Sequence, residues 1–420
     1  MLKAVTRGRR RGRRRENQWY CQPAPNSLDM ILQRNRTSGL EHWRPNSMLA
    51  LLVGDFVLLG IVVGAQGVLW AALMTVLQIT KGILGSALVT SPFMAVLLLL
   101  LGGHFSALIG KKRMAVLSLF LLGIASLILG AAGTLWGLLT ALLVQGAGYG
   151  LFETAMNGAA LDWERATGRP VLNLVHGSFN GGTIVGALGA GAMLAAGWKP
   201  PGVLFVVASL AGVMLFATLW VTYPRFGAQN ITDIPGATLR LMIGSGSLRV
   251  LSLIGALGAV GESVIFLWSV IYLRERGASP ILGGLAFSLL SSAMLAGRLA
   301  NIGIVRRFGS KGSFRVSGMG LLCSSILLVV SRGIAPAILA LGLMSVSVAS
   351  VLPTVLSIGA KLAPKQTGAV AAGVLAAFYI GLMATSPIIG TVADRLSLDV
   401  AFLVVGLSGL GIGWLAGKVT

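Results

Sequence analysis

An all-α membrane protein with twelve transmembrane helices in two pseudo-symmetric six-helix bundles is the fold this sequence predicts, and three observations predict it. Of 420 residues, 55% are hydrophobic and only 11% charged, and the mean hydropathy is +0.86. Soluble domains carry roughly 25% charged residues, so the composition argues strongly against a water-soluble enzyme. The apolar residues gather into twelve stretches, each close to the ~20 residues that cross a bilayer as a helix. A weak internal echo at an offset of about 198 residues then pairs the first six stretches with the last six.

The first element is not apolar. Met1 to Pro45 holds Arg7, Arg9, Arg10, Arg11, Arg13, Arg14 and Arg15 in one run, opposed in the whole segment only by Glu16, Asp29 and Glu41. A signal peptide needs an apolar core directly after its basic region; none follows here, so residues 1–47 read as a disordered basic cytoplasmic tail. Anionic lipids are its expected partner, each Lys or Arg near the surface contributing about 1 kcal/mol. Two other readings stay open. Met48 opens the first apolar stretch and could itself be the start, or the tail could touch nucleic acid, although it lacks the folded element that specific readout needs.

The twelve stretches run at roughly 48–70, 84–106, 114–132, 135–157, 173–196, 202–222, 250–272, 281–304, 316–331, 335–357, 368–390 and 400–417. Their connections set the orientation, because Lys and Arg accumulate in cytoplasmic loops. With the amino terminus inside, the inner loops receive Lys111, Lys112, Arg113, Arg165, Arg169, Arg306, Arg307, Lys311 and further basic residues, against Lys81, Lys199, Arg274, Arg276, Arg332 and Arg395 outside. Both termini are therefore expected in the cytoplasm. The connection 223–249, with Pro224 and Pro235, reads as a cytoplasmic linker between an N-terminal bundle, 48–222, and a C-terminal bundle, 250–420. Across it Gly60 aligns with Gly258 and Trp70 with Trp268, and Gly110 falls within one residue of Gly309.

Glycines recur at helical spacing: Gly60, Gly64 and Gly67; Gly146 and Gly150; Gly182, Gly186 and Gly189; and a second pair, Gly177 and Gly181. Small residues three or four apart let membrane helices approach closely. Either they are plain packing faces, or they are surfaces that move against each other during transport.

Three acids lie within the apolar stretches: Asp55, Glu153 and Glu262. A central charge costs about 2.5–3.5 kcal/mol on insertion scales, so such a residue normally faces a polar cavity or a partner. Asp55 is near a helix end and could reach water. Glu153 and Glu262 are better placed to carry a proton or contact a solute, although Glu153 could also reach the interface. Arg298 either snorkels to the cytoplasmic surface, or forms a gating ion pair or contacts an anionic solute, and His176 could titrate or hydrogen-bond a solute.

The stretch Gly148-x-Gly150-x-x-Glu153-Thr154-Ala155-x-Asn157, followed by Leu172-Asn173-Leu174-Val175-His176 and Gly182, resembles the fourth and fifth helices of the major facilitator superfamily, in its fucose-permease-like branch. Glu262 to Leu273, which includes Trp268, is similar to the seventh helix of related members. The resemblance implies proton coupling at Glu153 and a solute site that draws on Asn157, Asn173, His176, Glu262 and Trp268, with His176 standing where the branch carries a cavity-lining glutamine. It implies gating by the loop after the second helix, here Gly110, Lys111, Lys112 and Arg113. Two departures stand out: Ala107 replaces that loop's usual aspartate, and the second half of helix one reads Gln66-Gly67-Val68-Leu69 where the branch has an acid.

No nucleotide-binding loop, catalytic triad, paired-carboxylate site or metal-spaced His cluster occurs, and Cys21 and Cys323 are too isolated for a disulfide framework or a metal site. Neither enzymatic activity nor a cofactor is expected. The expected function is secondary active transport of a small solute, such as a sugar or related metabolite, by proton-coupled alternating access in a bacterial inner membrane. A drug or metabolite exporter of the same fold, and a non-transporting scaffold or sensor with a lipid-binding tail, are the alternatives.

Overall fold

The computed structural model describes residues 43–223, 235–363 and 366–419, which form helices and short turns with no strand among them. Most of the basic tail therefore lies outside the described residues, as does the middle of the 223–249 connection. The first six spans are α1 (Pro45–Leu77), α2 with α3 (Lys81–Ala87 and Thr90–Ile109), α4 (Lys111–Ala131), α5 (Leu135–Thr167), α6 (Leu172–Ala195) and α7 (Pro200–Trp220). A short α8 (Pro235–Gly244) falls in the segment read as a linker. The seventh span is α9 (Gly246–Ser263), a π-helical turn (Val264–Trp268) and α10 (Ser269–Glu275). It is followed by α11 (Pro280–Val330), α12 (Ile334–Val348) with α13 (Val351–Leu362), α14 (Thr367–Arg395), and α15 (Leu398–Ala401) with α16 (Leu403–Ala416).

Ten of these runs are long and apolar enough to span a membrane by length and composition. α11 contains two spans, because Gly309 breaks it at φ 68°, ψ 177°, and α6 completes the twelve. Gly110 makes the equivalent turn between α3 and α4 at φ 81°, ψ 155°. Both lie in the left-handed region that only glycine enters without strain, so the sequence echo between these two positions marks one turn used twice.

Most helices overrun their apolar windows. A window registers only the hydrocarbon core, about 30 Å thick, whereas a helix continues through headgroup layers that bring the total to about 40–45 Å. α5 extends from the expected end at 157 to Thr167, which moves Glu153 from the inner part of its span to near its middle, roughly 20 Å from that end. Glu262 is likewise central in the Gly246–Glu275 run, and Arg298 lies well inside the first part of α11.

Glycine determines the closest helix pair. A Cβ at Gly60 or Gly64 of α1 would fall 2.1 Å from a backbone oxygen of α6, and one at Gly182 or Gly186 would fall 2.1 or 2.3 Å from a backbone oxygen of α1. Gly146 and Gly150 of α5 meet the backbone of α3 in the same way, at 2.2 and 2.5 Å. Lipid tails are as apolar as leucine, so such close packing, not water exclusion, holds membrane helices together. The outer surface is correspondingly apolar: Trp136, Trp220 and Trp414 are among its most exposed side chains, suited to the interfacial belts where tryptophan collects.

Candidate functional site

The two bundles touch along α6 and α11 and along α2 and α14. At one end, called here the Lys81 end, they are closed together. A Cβ at Gly191 would lie 2.9 Å from the Pro280 carbonyl, Gly284 abuts the Ala187 carbonyl, and Ser288 donates to the Ile184 carbonyl at 3.1 Å. The stripe of α6 that makes these contacts continues one and two turns further as Gly181 and Gly177, by the 3.6-residue helical repeat. A Cβ built on either glycine would meet no atom of another element within 4 Å, and His176 beside them is exposed. The bundles thus meet at the Lys81 end and part towards the other, the Lys111 end.

The polar centre sits where the opening begins. Glu153 accepts from Asn157 Nδ2 at 2.6 Å, and the same amide donates to the Glu153 carbonyl at 2.9 Å. Glu262, from the opposite bundle, lies one residue before Ser263, where α9 ends and the π turn begins; π turns re-aim side chains and recur at functional sites. Arg298 lies within electrostatic reach of both Glu262 and His176. Tyr379 of α14 is within reach of Glu153, Glu262 and Tyr149 together. His176 packs edge-on against Phe56, ring centroids 5.1 Å apart. Residues from both bundles therefore converge on one mid-membrane cluster: Glu153 with Asn157 and Tyr149, His176, and facing them Glu262, Arg298 and Tyr379.

Behind this cluster, Gln66 and Gln145 exchange two hydrogen bonds, at 2.7 and 3.1 Å, and Gln145 also donates to the Tyr149 hydroxyl at 2.8 Å. Both amides are buried. Gln66 stands in the region where the branch resembled above has an acid, so here a neutral amide pair joins α1 to α5. Gln145, Tyr149 and Tyr379 were missed from sequence, although an amide inside an apolar span is itself a signal, since an unpaired one is costly in hydrocarbon.

Other expected positions lie elsewhere. Trp268 is fully enclosed beside Gly85, whose Cβ position is 3.3 Å from the ring, so in this conformation it offers no surface to a solute. Asp55 does not reach water: it is 0% exposed among the core residues of the first bundle, and neither carboxylate oxygen has a hydrogen-bond partner. The side chain of Asn173 lies outside the described residues. Arg298 donates Nε to the Ala349 carbonyl at 3.4 Å, at the break between α12 and α13, and is thus turned into the protein and not out to a surface.

The basic loop at the Lys111 end bonds within its own bundle. Lys111 pairs with Asp162 and also donates to the Gly158 carbonyl at 3.2 Å, and Lys112 donates to the Leu219 carbonyl at 2.8 Å, an acceptor that is unsatisfied at a helix C-terminus. Arg113 is exposed, and Gly110 supplies the turn. Lys111→Ala should leave the 5%-exposed Asp162 carboxylate without its closest cation, lowering stability by about 2 kcal/mol after allowance for the partial exposure of Lys111. Thermal unfolding of Lys111→Ala, Asp162→Asn and the double variant checks this, with the double variant losing less than the sum of the two.

Among the described residues no group of three or more His, Cys, Asp or Glu is placed to hold a metal ion. The sequence profile of the Major Facilitator Superfamily matches residues 55–379. The chain belongs to this superfamily. An uncharacterized MFS-type transporter of Yersinia pestis is 29% identical over 284 residues, 67% of this chain and 72% of that protein. Among solved structures, the nucleoside transporter NupG, in a mutant form, superposes with a TM-score of 0.77 at 11% identity, covering 89% of this chain and 99% of the other. The E. coli fucose:proton symporter FucP does so at 0.59 and 16% identity, covering 89% and 98%. At these identities the superpositions establish the superfamily's all-α fold, and the protein is a multi-pass membrane transporter.

Proposed function

We propose that this superfamily member carries a small polar solute across the bacterial inner membrane by alternating access, with proton movement coupled through Glu153. The observation that carries the reading is the central cluster: carboxylates from both bundles, an arginine, a histidine and two tyrosines meet mid-membrane at the mouth of an opening. Ionisable residues there are costly unless they face a polar cavity or a partner, and those that do mark solute and proton pathways; solute sites in two-bundle transporters lie at the midplane between the halves. Glu153 is the proton carrier in this scheme, and Glu262, Arg298 and His176 supply charge and hydrogen bonds to the solute.

The cargo class is a sugar or nucleoside. A hydroxylated solute suits a site rich in carboxylates, amides and tyrosines, and structural neighbours of this fold include a nucleoside transporter and a fucose:proton symporter. The basic loops orient the Lys111 end and both termini towards the cytoplasm, which makes the described conformation inward-open. Uptake of labelled sugars and nucleosides into proteoliposomes under an imposed pH gradient tests the proposal. At least one such solute should be concentrated inside vesicles with an alkaline lumen, and passive equilibration of every member of both classes would count against it.

A further inference from the structure

We infer that Asp394, with the Lys81–Glu275 ion pair, is a latch that holds the two bundles closed at the Lys81 end, and that this latch sets the protein's conformational bias. The inference rests on the alternating-access reading. Asp394 occupies the last turn of α14, in the second bundle. Its two oxygens accept from the first two backbone N–H groups of α2, in the first bundle: Lys81 N at 3.0 Å and Gly82 N at 2.8 Å. The third, Ile83 N, is taken by the Thr80 hydroxyl at 3.3 Å.

The first N–H groups of a helix have no partner within it and carry partial positive charge, so a carboxylate is favoured there. At the C-terminus of its own helix the same carboxylate is disfavoured. Asp394 is therefore well placed only while α2 abuts α14, and separation of the bundles strands both the acid and the N–H groups. Lys81 adds a second cross-bundle tie through Nζ, 2.7 Å from Glu275 Oε1. Glu275 lies one residue before Arg276, which is anchored to Asp399 at 2.5 Å and stacked over the Tyr272 ring at 4.4 Å.

The backbone is shaped for this contact. A Cβ at Gly82 would lie 2.7 Å from the Asp394 carboxylate, one at Gly390 would lie 2.3 Å from the Lys81 carbonyl, and one at Gly85 would lie 2.2 Å from the Ser386 carbonyl. At the opposite end of the same span, Gly102 to Gly110 contains no acidic residue, with Ala107 among its members. That segment has no carboxylate with which to cap α14 in return. Within Gly102 to Gly110, therefore, nothing mirrors the carboxylate cap that closes the Lys81 end.

Spin labels at Trp198→Cys and Arg332→Cys, exposed near the Lys81 end on different bundles, report the closure in full-length protein whose Cys21 and Cys323 have been replaced by Ala. Two charge-assisted hydrogen bonds are lost in Asp394→Ala, so the ratio of separated to closed populations should rise at least about tenfold. Gly82→Ala, which crowds the carboxylate without removing it, should move the ratio the same way, and it keeps the test decisive if Asp394→Ala folds poorly. Distance distributions in both variants matching the parent protein would overturn the latch. If the parent opens its Lys81 end on adding a transported solute while the variants match it, the latch alone fails. If neither parent nor variants open under any solute or pH, the alternating-access reading fails with it.

Discussion

Gly182→Val is expected to abolish the folded protein, while Gly181→Ala, one residue away, is expected to leave it intact. The new Cβ at position 182 would sit 2.1 Å from the Val57 carbonyl oxygen, 2.8 Å from its carbon and 2.9 Å from its Cα. These are backbone atoms of α1, and no rotamer change can clear them. Overpacked cores that can yield cost about 1–3 kcal/mol; a clash between two helix backbones exceeds that range, against a total stability of about 5–15 kcal/mol. Because α1 and α6 dovetail reciprocally through Gly60, Gly64, Gly182 and Gly186, displacing one contact opens the others. A Cβ at Gly181, on the opening between the bundles, would meet nothing within 4 Å, and alanine there should even add roughly 0.5–1 kcal/mol of helix stability. Yield of monodisperse protein and thermal unfolding check the pair. Unfolding of Gly182→Val at the parent temperature would refute the packing argument.

Glu153→Gln is expected to keep solute exchange and lose solute concentration. Glutamine has nearly the same shape and retains an oxygen to accept the Asn157 amide that now binds at 2.6 Å, so fold and binding should survive. What it cannot do is take up and release a proton. A pH gradient of one unit stores about 1.4 kcal/mol per proton, tenfold in concentration. A one-to-one coupled protein should therefore concentrate its solute up to about tenfold under that gradient, and the variant should stop at equilibrium. Exchange of labelled for unlabelled solute at equal concentrations, which needs no net proton movement, should continue in both. A variant that still concentrates solute like the parent would move the proton to another group, Glu262 being the nearest choice.

The spans were legible because hydropathy reports directly on burial in lipid, and the turn at Gly110 with its echo at Gly309 was legible because only glycine makes it without strain. Helix ends were underestimated, since the polar last turns of α5, which carry Asp162 and Glu164, register as loop in any apolar window. The rule that acids inside a membrane have a reason to be there located Glu153 and Glu262, and the structure brings them to one cluster. The same rule singled out Asp55, which packs instead inside a single bundle, because sequence gives depth along a helix but not which way the residue faces. Facing also divides the glycines of α6: Gly182 and Gly186 pack on α1, whereas Gly177 and Gly181 border the opening. The contacts between bundles join residues far apart in the chain, 104 positions for Ser288 on Ile184 and more than 300 for Asp394 on Lys81 and Gly82, and leave no periodic trace.

The most direct test of the central claim is proton movement driven by solute alone. Reconstituted vesicles without an imposed gradient, containing a pH-sensitive dye, receive a sugar or nucleoside shown to be transported. Wild-type vesicles should acidify inside as solute enters, and Glu153→Gln vesicles should take up solute at constant internal pH. Solute entry into wild-type vesicles without acidification, or equal acidification in the variant, would contradict coupling through Glu153.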